Sequence, residues 1–522
     1  MSNSKILIKM NVKYSILIVF IAMISFSCQK DFLEKNPLDT VSNEIFWQTA
    51  EEVDIALAGV YSKLQENFLG YERVYLDGIS DNAFLDPGNS NQNNLSNMAT
   101  GNISASLGGA IPNMYNTPYK VIVACNYFLD NVDRAPVPEK VSNRYKAEVR
   151  FIRALSYFDL VQFFGGVILY ENFPETLQEV KIAKSTEADV YRFIEADLNY
   201  AIENLPAKDY MGHAVKGSAE ALLGRVLITQ EKWEEAIVPL SNVISSGIFS
   251  LANDYQGLFL TEGQNDPNIN REIIFATQYL APNDVHRISP GTGGLDIELG
   301  WFSLMQPYED LIKSYQMSDG KMPENSDLYD VEKPFENRDP RLDYTIKLPE
   351  EEWVNENGEV WEGSYESYTG FLTEKYVDLS RAPFSSSTAN SSDQDYIHLR
   401  YADVLLMYAE AQNEVGGPSE SIFNALDQIR MRETVEMPAV DRNKLQDKET
   451  LRNYIHRERR VELALEGQRY NDLKRWNIAH TKLPTLENPL GKPLVFELKN
   501  YLLPFPSSEL DNNPELKQNP SY

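Results

Sequence analysis

The clearest indication of the fold is the stretch Ala219-Glu220-Ala221-Leu222-Leu223-Gly224-Arg225, which is followed by Trp233-Glu234-Glu235-Ala236-Ile237. Apolar residues recur at helical spacing in both segments, and only a short turn fits between them. Small residues in the first helix would allow the second to approach closely, with Leu222, Ile237 and Leu240 filling the seam. This spacing is typical of a tetratricopeptide helix pair.

The same periodicity recurs along the chain. It predicts helices at about 50–66, 116–132, 139–164, 186–204, 215–230, 233–246, 397–415, 419–432 and 448–466. A second pair is interrupted at Gly416-Gly417-Pro418, which ends one helix and opens the next. Because the two pairs lie far apart, the pattern does not indicate a regular solenoid. Such pairs serve as a surface for a partner protein or as a structural core, and periodicity favours neither.

Composition indicates a globular protein and excludes several functions. The chain has 522 residues, of which 43% are hydrophobic and 11% aromatic, enough to fill a sizeable core. Lys and Arg total 48 against 77 Asp and Glu, a net charge of −29 that would repel phosphate backbones and excludes nucleic-acid binding. Two cysteines and five histidines exclude a disulfide scaffold and a Cys/His zinc cluster. We expect no metal and no cofactor.

The N-terminus has the pattern of a signal peptide. Three lysines precede a charge-free apolar run at 14–26, which is shorter than the roughly 20 residues of a spanning helix. The run ends at Ser25-Phe26-Ser27-Cys28, which resembles a bacterial lipoprotein cleavage box, although Ser25 stands where such boxes usually carry Leu. We therefore predict a signal peptide at 1–27 and a tether at 28–45 that is lipidated at Cys28 and anchors the chain to a membrane. The alternative is an ordinary secretory signal with an incidental cysteine.

Cys125 is the second cysteine of the chain. With Cys28 acylated it has no disulfide partner. It is expected to be a small, buried apolar residue.

Three irregular stretches, at 86–116, 280–308 and 350–371, separate the helical blocks, and long loops of this kind are often functional. An aromatic face can stack on the C–H face of a pyranose, and amides can hydrogen-bond its hydroxyls. The alternative for each aromatic residue is core packing. Predicted ligand contacts are Trp301, Phe302, Tyr308, Trp353 and Trp361, together with Asn113 in the first stretch.

The chain carries no catalytic motif: there is no Gly-x-Ser-x-Gly elbow, no His-Glu-x-x-His and no phosphate loop. A glycosidase needs only two carboxylates, and spacing does not test such a pair. The Arg/Glu-rich run at 457–475 could be an anion clamp, but its spacings favour ion pairs along and beside a helix.

Many short motifs, in order along nearly the whole mature chain, resemble the SusD/RagB family of Bacteroidetes outer-membrane nutrient-uptake lipoproteins. The matching stretches are Asp31-Phe32-Leu33-Glu34, Ala58-Gly59-Val60-Tyr61, Ser80-Asp81-Asn82, Phe164-Gly165-Gly166-Val167, Arg338-Asp339-Pro340-Arg341, Arg400-Tyr401-Ala402-Asp403 and Glu466-Gly467-Gln468-Arg469.

The resemblance implies an all-α body with four tetratricopeptide-like helix pairs and a loop-rich variable half. An N-terminal region at 46–250 and a C-terminal region at 270–522 would form one globular body. Relatives commonly place a Trp before the helix near Tyr115, whereas this chain reads Ala110-Ile111-Pro112-Asn113-Met114. The predicted aromatic contacts therefore lie at 280–371.

The resemblance also implies a function. The protein would be a glycan-binding lipoprotein on the outer face of the outer membrane. It would not be an enzyme, and it would deliver oligosaccharide to a SusC-like TonB-dependent barrel. A peptide or glycoprotein-derived ligand stays open. The alternatives are a membrane-tethered glycoside hydrolase and an adhesin or scaffold that uses its helix pairs.

Overall fold

The computed structural model describes residues 46–87, 94–286, 294–349, 351–355, 357–361, 367–381 and 392–522. The predicted signal peptide, Cys28 and the tether lie outside the described residues. Within the described part, 17 α-helices are α1 (Ala50–Ser62), α2 (Leu95–Ala99), α3 (Ala110–Asn131), α4 (Glu139–Phe164), α5 (Leu177–Val180), α6 (Glu187–Asn204), α7 (Lys216–Thr229), α8 (Trp233–Ser245), α9 (Thr261–Gln264), α10 (Glu309–Ile312), α11 (Arg341–Thr345), α12 (Tyr401–Gly416), α13 (Glu420–Arg430), α14 (Lys448–Glu462), α15 (Arg469–Arg475), α16 (Ala479–Lys482) and α17 (Ser507–Asn512).

Local sequence sets the ends of the long helices. The Thr49 hydroxyl accepts from the Glu52 backbone N–H, and the Glu52 carboxylate accepts from the Thr49 N–H, which together form a capping box before α1. Gly165, at φ 68°, ends α4 in a conformation that glycine adopts without strain. The predicted helix at 139–164 is confirmed at both ends, and Gly165 explains its C-terminal end.

The long helices pack as a series in which each contacts the next, in the order α3, α4, α6, α7, α8, α12 and α13, and α14 packs on α12. The predicted pairs α7/α8 and α12/α13 are confirmed. A Cβ atom added to Gly224 would lie 2.4 Å from Leu240 Cδ2, so glycine permits the close approach of α7 and α8. α8 also packs on α12, which joins the two pairs although they are far apart in the sequence.

The fold is mainly helical, with 52% helix and 7% strand. Eight short strands are β1 (Ala83–Leu85), β2 (Ile273–Thr277), β3 (Met305–Pro307), β4 (Ile346–Lys347), β5 (Trp353–Val354), β6 (Val360–Trp361), β7 (Leu372–Thr373) and β8 (Tyr396–Arg400). In the described part of the chain they pair antiparallel in four two-stranded sheets, β1–β3, β2–β8, β4–β7 and β5–β6.

The prediction of helix at 397–400 is wrong, because these residues belong to β8. All five residues of β8 are buried, His398 and Arg400 included, so the strand has no exposed face whose alternation would distinguish it from a helix. Two further boundaries also differ from the prediction. α3 begins at Ala110, within the predicted irregular stretch 86–116, and α14 ends at Glu462.

Buried apolar side chains from both halves form one contiguous cluster that runs from Trp47 to Leu516 in the sequence. Cys125 is fully buried in it, which confirms its predicted role. A smaller cluster, Ile297, Trp353 and Val377, lies beneath the β5–β6 hairpin.

The Arg/Glu-rich run at 457–475 forms structural ion pairs, as predicted, and most of them join the run to other elements and do not lie along one helix. Asp472 and Arg475 form the i,i+3 pair that the spacing predicts. Arg459 also pairs with Asp472 inside the run, and the remaining pairs reach distant elements. Glu462, fully buried, contacts Arg341, Arg400 and Arg432 at 2.7–2.9 Å. Tertiary packing therefore selects the partners of this run.

Candidate functional site

Two of the predicted ligand contacts are buried in the interior. Tyr308 is 6% exposed and Trp353 is 3% exposed. The Tyr308 N–H donates to the Asn82 carbonyl at 2.9 Å, and burial raises the pKa of the Tyr308 hydroxyl. Trp353 packs on Ile297, and its indole N–H donates to the Glu374 carboxylate. Neither ring presents a face to solvent, so core packing accounts for both.

The three other predicted aromatic residues are close in sequence to members of the cluster formed by Ile297, Trp353 and Val377. Phe302 is half-buried and packs on the Ile297 cluster. Trp301 ends a π-helical turn at Asp296–Trp301 and Trp361 ends β6, while the side chains of both lie outside the described part. Contacts of Trp301 and Trp361 with a ligand stay predictions.

The exposed aromatic ring beside this region belongs to Tyr368, which is 55% exposed and was not singled out from the sequence. Its ring meets Phe84 of β1 edge-to-face at 5.9 Å. Its backbone N–H donates to the Gln306 side-chain oxygen at 2.7 Å, and the Ser367 hydroxyl donates to the same oxygen at 3.3 Å. Gln306 on β3 therefore fixes the backbone that carries an accessible ring. The sequence signal that could have identified Tyr368 is its position in the aromatic-rich stretch 350–371.

Asn113 lies on a different element from these aromatics, in the first turn of α3, and is half-buried. Its amide donates to the Asn67 side-chain oxygen at 3.4 Å, and the Asn67 amide donates to the Thr117 hydroxyl at 3.1 Å. Sequence reasoning missed Asn67, because nothing in the pattern pairs residues that far apart. This amide cluster offers donors and acceptors at the surface, as hydroxyl-rich ligands require.

Comparison with known proteins identifies the family. A model described as the SusD family matches residues 271–522, and a model described as "Starch-binding associating with outer membrane" matches residues 31–228. The chain belongs to the SusD family.

Similar proteins support this membership over the whole length. A SusD-like protein of Formosa agariphila is 28% identical, covering 97% of this chain and 98% of its own. A SusD-like carbohydrate-binding protein from Bacteroides fragilis is similar in structure, with TM-score 0.76, 28% identity and coverage of 90% of this chain and 100% of its own. A laminarin-binding SusD-like protein has TM-score 0.67 at 25% identity and covers 91% of this chain and 100% of its own.

The interior of this SusD-family chain contains carboxyl groups with raised pKa. Burial raises the pKa of Asp77 to about 7 and that of Glu298 to about 8. Asp77 accepts from the backbone N–H groups of Gly467 and Arg469, and Glu298 accepts from the Tyr75 hydroxyl. Both carboxyl groups are buried and hydrogen-bonded within the protein. Their raised pKa follows from packing and does not mark a pair that faces a cleft.

The described part of the chain meets the requirements of neither a metal site nor a membrane-spanning helix. No group of three or more His, Cys, Asp or Glu side chains there could hold an ion. None of the helices in that part combines the length and apolar character needed to cross a bilayer. Family membership itself links the chain to the outer membrane and to carbohydrate binding.

Proposed function

We propose that this SusD-family chain is a cell-surface lipoprotein that captures oligosaccharide and passes it, uncleaved, to a SusC-like TonB-dependent transporter of the outer membrane. The observation that carries the proposal is the double family match, which together spans residues 31–228 and 271–522. One matched family is described as starch-binding, and solved neighbours are described as carbohydrate-binding and laminarin-binding.

Surface chemistry supports a glycan ligand. The exposed Tyr368 ring has the face that a pyranose stacks on. The amides of Asn67 and Asn113 are the groups that hydrogen-bond hydroxyls. Each is fixed by bonds to neighbouring elements, which lowers the entropy cost of ordering it on binding.

Lipidation at Cys28 would place the body beside the outer face of the membrane, within reach of a barrel. Acyl chains anchor a protein by burying methylene groups in the bilayer. The variant Cys28→Ala is expected to release the protein from washed outer membranes. Continued retention would contradict anchoring through the lipid.

The transport role is tested by capturing tagged protein from native outer membranes in mild detergent and identifying what co-purifies. We expect a large TonB-dependent barrel in near-equal amount. Absence of any barrel would overturn the transport role and leave the adhesin or scaffold alternative.

Binding without cleavage is tested with purified residues 29–522 and a panel of glycans. We expect saturable binding and no release of reducing sugar. Release of reducing sugar that a two-carboxylate variant abolishes would contradict the proposal and favour a tethered glycoside hydrolase.

A further inference from the structure

A second surface of the protein, distinct from Tyr368 and the Asn67/Asn113 cluster, has the features of a ligand pocket. A groove of about 430 Å³ lies between α3, the segment 168–181 and the C-terminal segment 509–516. Its lining includes Tyr115, Asn116, Tyr119, Tyr170 and Asn512, and we call it the tyrosine groove. Its volume is within the range of roughly 300–1,000 Å³ that is usual for small-molecule sites.

Two half-buried rings, Tyr119 and Tyr170, form the aromatic wall of the tyrosine groove, and the Tyr115 ring, which is only 3% exposed, packs against Tyr119 from the core. The Tyr115 and Tyr119 centroids are 4.9 Å apart, and those of Tyr119 and Tyr170 are 5.7 Å apart. The Tyr119 hydroxyl donates to the Ile168 carbonyl at 2.8 Å, and the Tyr170 hydroxyl donates to the Val180 carbonyl at 2.8 Å. Because both hydroxyl groups donate to backbone carbonyls, the two rings are fixed in position. Their carbon surfaces are the part that lines the groove.

Two amides complete the lining. Asn116 on α3 is half-buried and Asn512 at the end of α17 is exposed. Neither side-chain amide hydrogen-bonds any other residue in the described part of the chain, although most amides named above have such partners. The two amides come from distant parts of the sequence: Asn116 precedes Tyr119 on α3, and Asn512 lies near the C-terminus. Packing assigns no bond to either amide, which leaves both able to bond a ligand.

The tyrosine groove carries little net charge. Its lining contains one lysine, Lys181, and one carboxylate, Glu509. Burial raises the pKa of Tyr170 to about 12 and raises that of Tyr115 further, so both hydroxyls are neutral near pH 7. A sulfated or uronate-rich ligand would find one cation and one anion there, and hence no net attraction.

We infer that the tyrosine groove binds a neutral oligosaccharide, whose pyranose C–H faces stack on the tyrosine wall and whose hydroxyls bond Asn116 and Asn512. The inference rests on the proposed glycan-binding function and adds a site and a ligand class to it. α3 separates this site from the other amide cluster, because Asn113 and Thr117 face Asn67 while Asn116 and Tyr119 line the groove.

The test is calorimetric titration of residues 29–522 with neutral gluco-, xylo- and manno-hexaoses and with alginate and heparin hexasaccharides. The double variant Asn116→Ala/Asn512→Ala removes two amides that bond nothing in the described chain, so its thermal midpoint should equal that of wild type. We expect it to lose at least tenfold in affinity for the neutral hexaose that binds best. Asn424→Ala, at an exposed position on α13, is the matched control and should bind as wild type.

A ring test complements the amide test. Tyr170→Phe keeps the ring and should keep most of the affinity, whereas Tyr170→Ala should lose it. Because the hydroxyl already bonds Val180, a purely structural role would make both variants lose stability without separating their affinities.

The possible outcomes separate this inference from the proposed function. Unchanged affinity in the double variant, with loss in Tyr368→Ala, would overturn the groove assignment while supporting glycan capture. Tighter binding of the alginate or heparin fragment would overturn the neutral ligand class. If no hexaose binds wild type at millimolar concentration the inference fails, and loss of barrel capture by the double variant would then assign the two amides to a contact with the barrel.

Discussion

The C-terminal half and the tyrosine groove use aromatic and polar side chains in opposite ways. Around Trp353 and Glu462 the rings and charges are buried and bond each other. In the groove, the rings of Tyr119 and Tyr170 are half-buried, and the amide of Asn116 bonds no other described residue. The difference shows that residue type alone does not identify a binding site. What matters is whether neighbouring elements already use the side chain.

The greatest loss of stability is expected when a buried charge loses its partners. Burial alone would raise the pKa of Glu462, but Arg432, Arg400 and Arg341 hold that pKa below its ordinary value. Glu462→Ala would leave three buried guanidinium groups without this partner, so the free energy of unfolding should fall by about 3–5 kcal/mol in urea denaturation.

The matched control is Glu336→Ala. Its exposed pair with Lys333 has both side chains more than half exposed, and the expected change is within about 0.5 kcal/mol. Equal losses in the two variants would contradict a special role for the buried network.

The next effect tests whether Trp353 is a core residue. Trp353→Ala removes a buried ring from the Ile297 cluster and leaves Glu374 without the indole donor. We expect a loss of about 3 kcal/mol in the free energy of unfolding and unchanged glycan affinity in the fraction that remains folded. Trp233→Ala, at a half-buried position in α8, should cost less. A stable variant with weakened glycan binding would return Trp353 to the ligand site.

The pH dependence of stability tests the buried region through Glu374. Burial raises the pKa of Glu374 from its ordinary 4.5 to about 7. Between these values the folded chain binds more protons than the unfolded chain, so the contribution of Glu374 to stability falls as pH rises across this window. Glu374→Gln should remove up to about 3 kcal/mol of this decline between pH 4.5 and 7.

Urea denaturation of both chains at several pH values measures the effect, because the difference between them isolates Glu374 from other titrating groups. The glutamine oxygen can still accept from the Trp353 indole. Parallel stability curves for the two chains would show that this carboxyl group is not buried as described.

The smallest effect on stability is expected at Tyr368. Because the ring is 55% exposed, Tyr368→Ala should change the free energy of unfolding by less than about 0.5 kcal/mol. If this ring belongs to the glycan site, affinity should fall about tenfold, in line with the ~1.4 kcal/mol expected from losing one aromatic contact. Wild-type affinity would confine glycan binding to other surfaces.

Local sequence patterns account for the helical scaffold. Its 3.6-residue periodicity, its capping residues and glycines such as Gly165 act within a few residues, so α4, α7 and α8 follow closely from local pattern. The family motifs are also contiguous in the sequence, and the family match confirms them.

Burial and accessibility depend on contacts between segments that are far apart in the sequence. β8 is a strand because it pairs with β2, more than 100 residues away, and Glu462 finds its arginines on three other segments. The tyrosine groove joins α3 to a C-terminal segment nearly 400 residues further along the chain. Local patterns do not encode such contacts, because they depend on the packing of whole elements, and that packing gives each ring and amide its role.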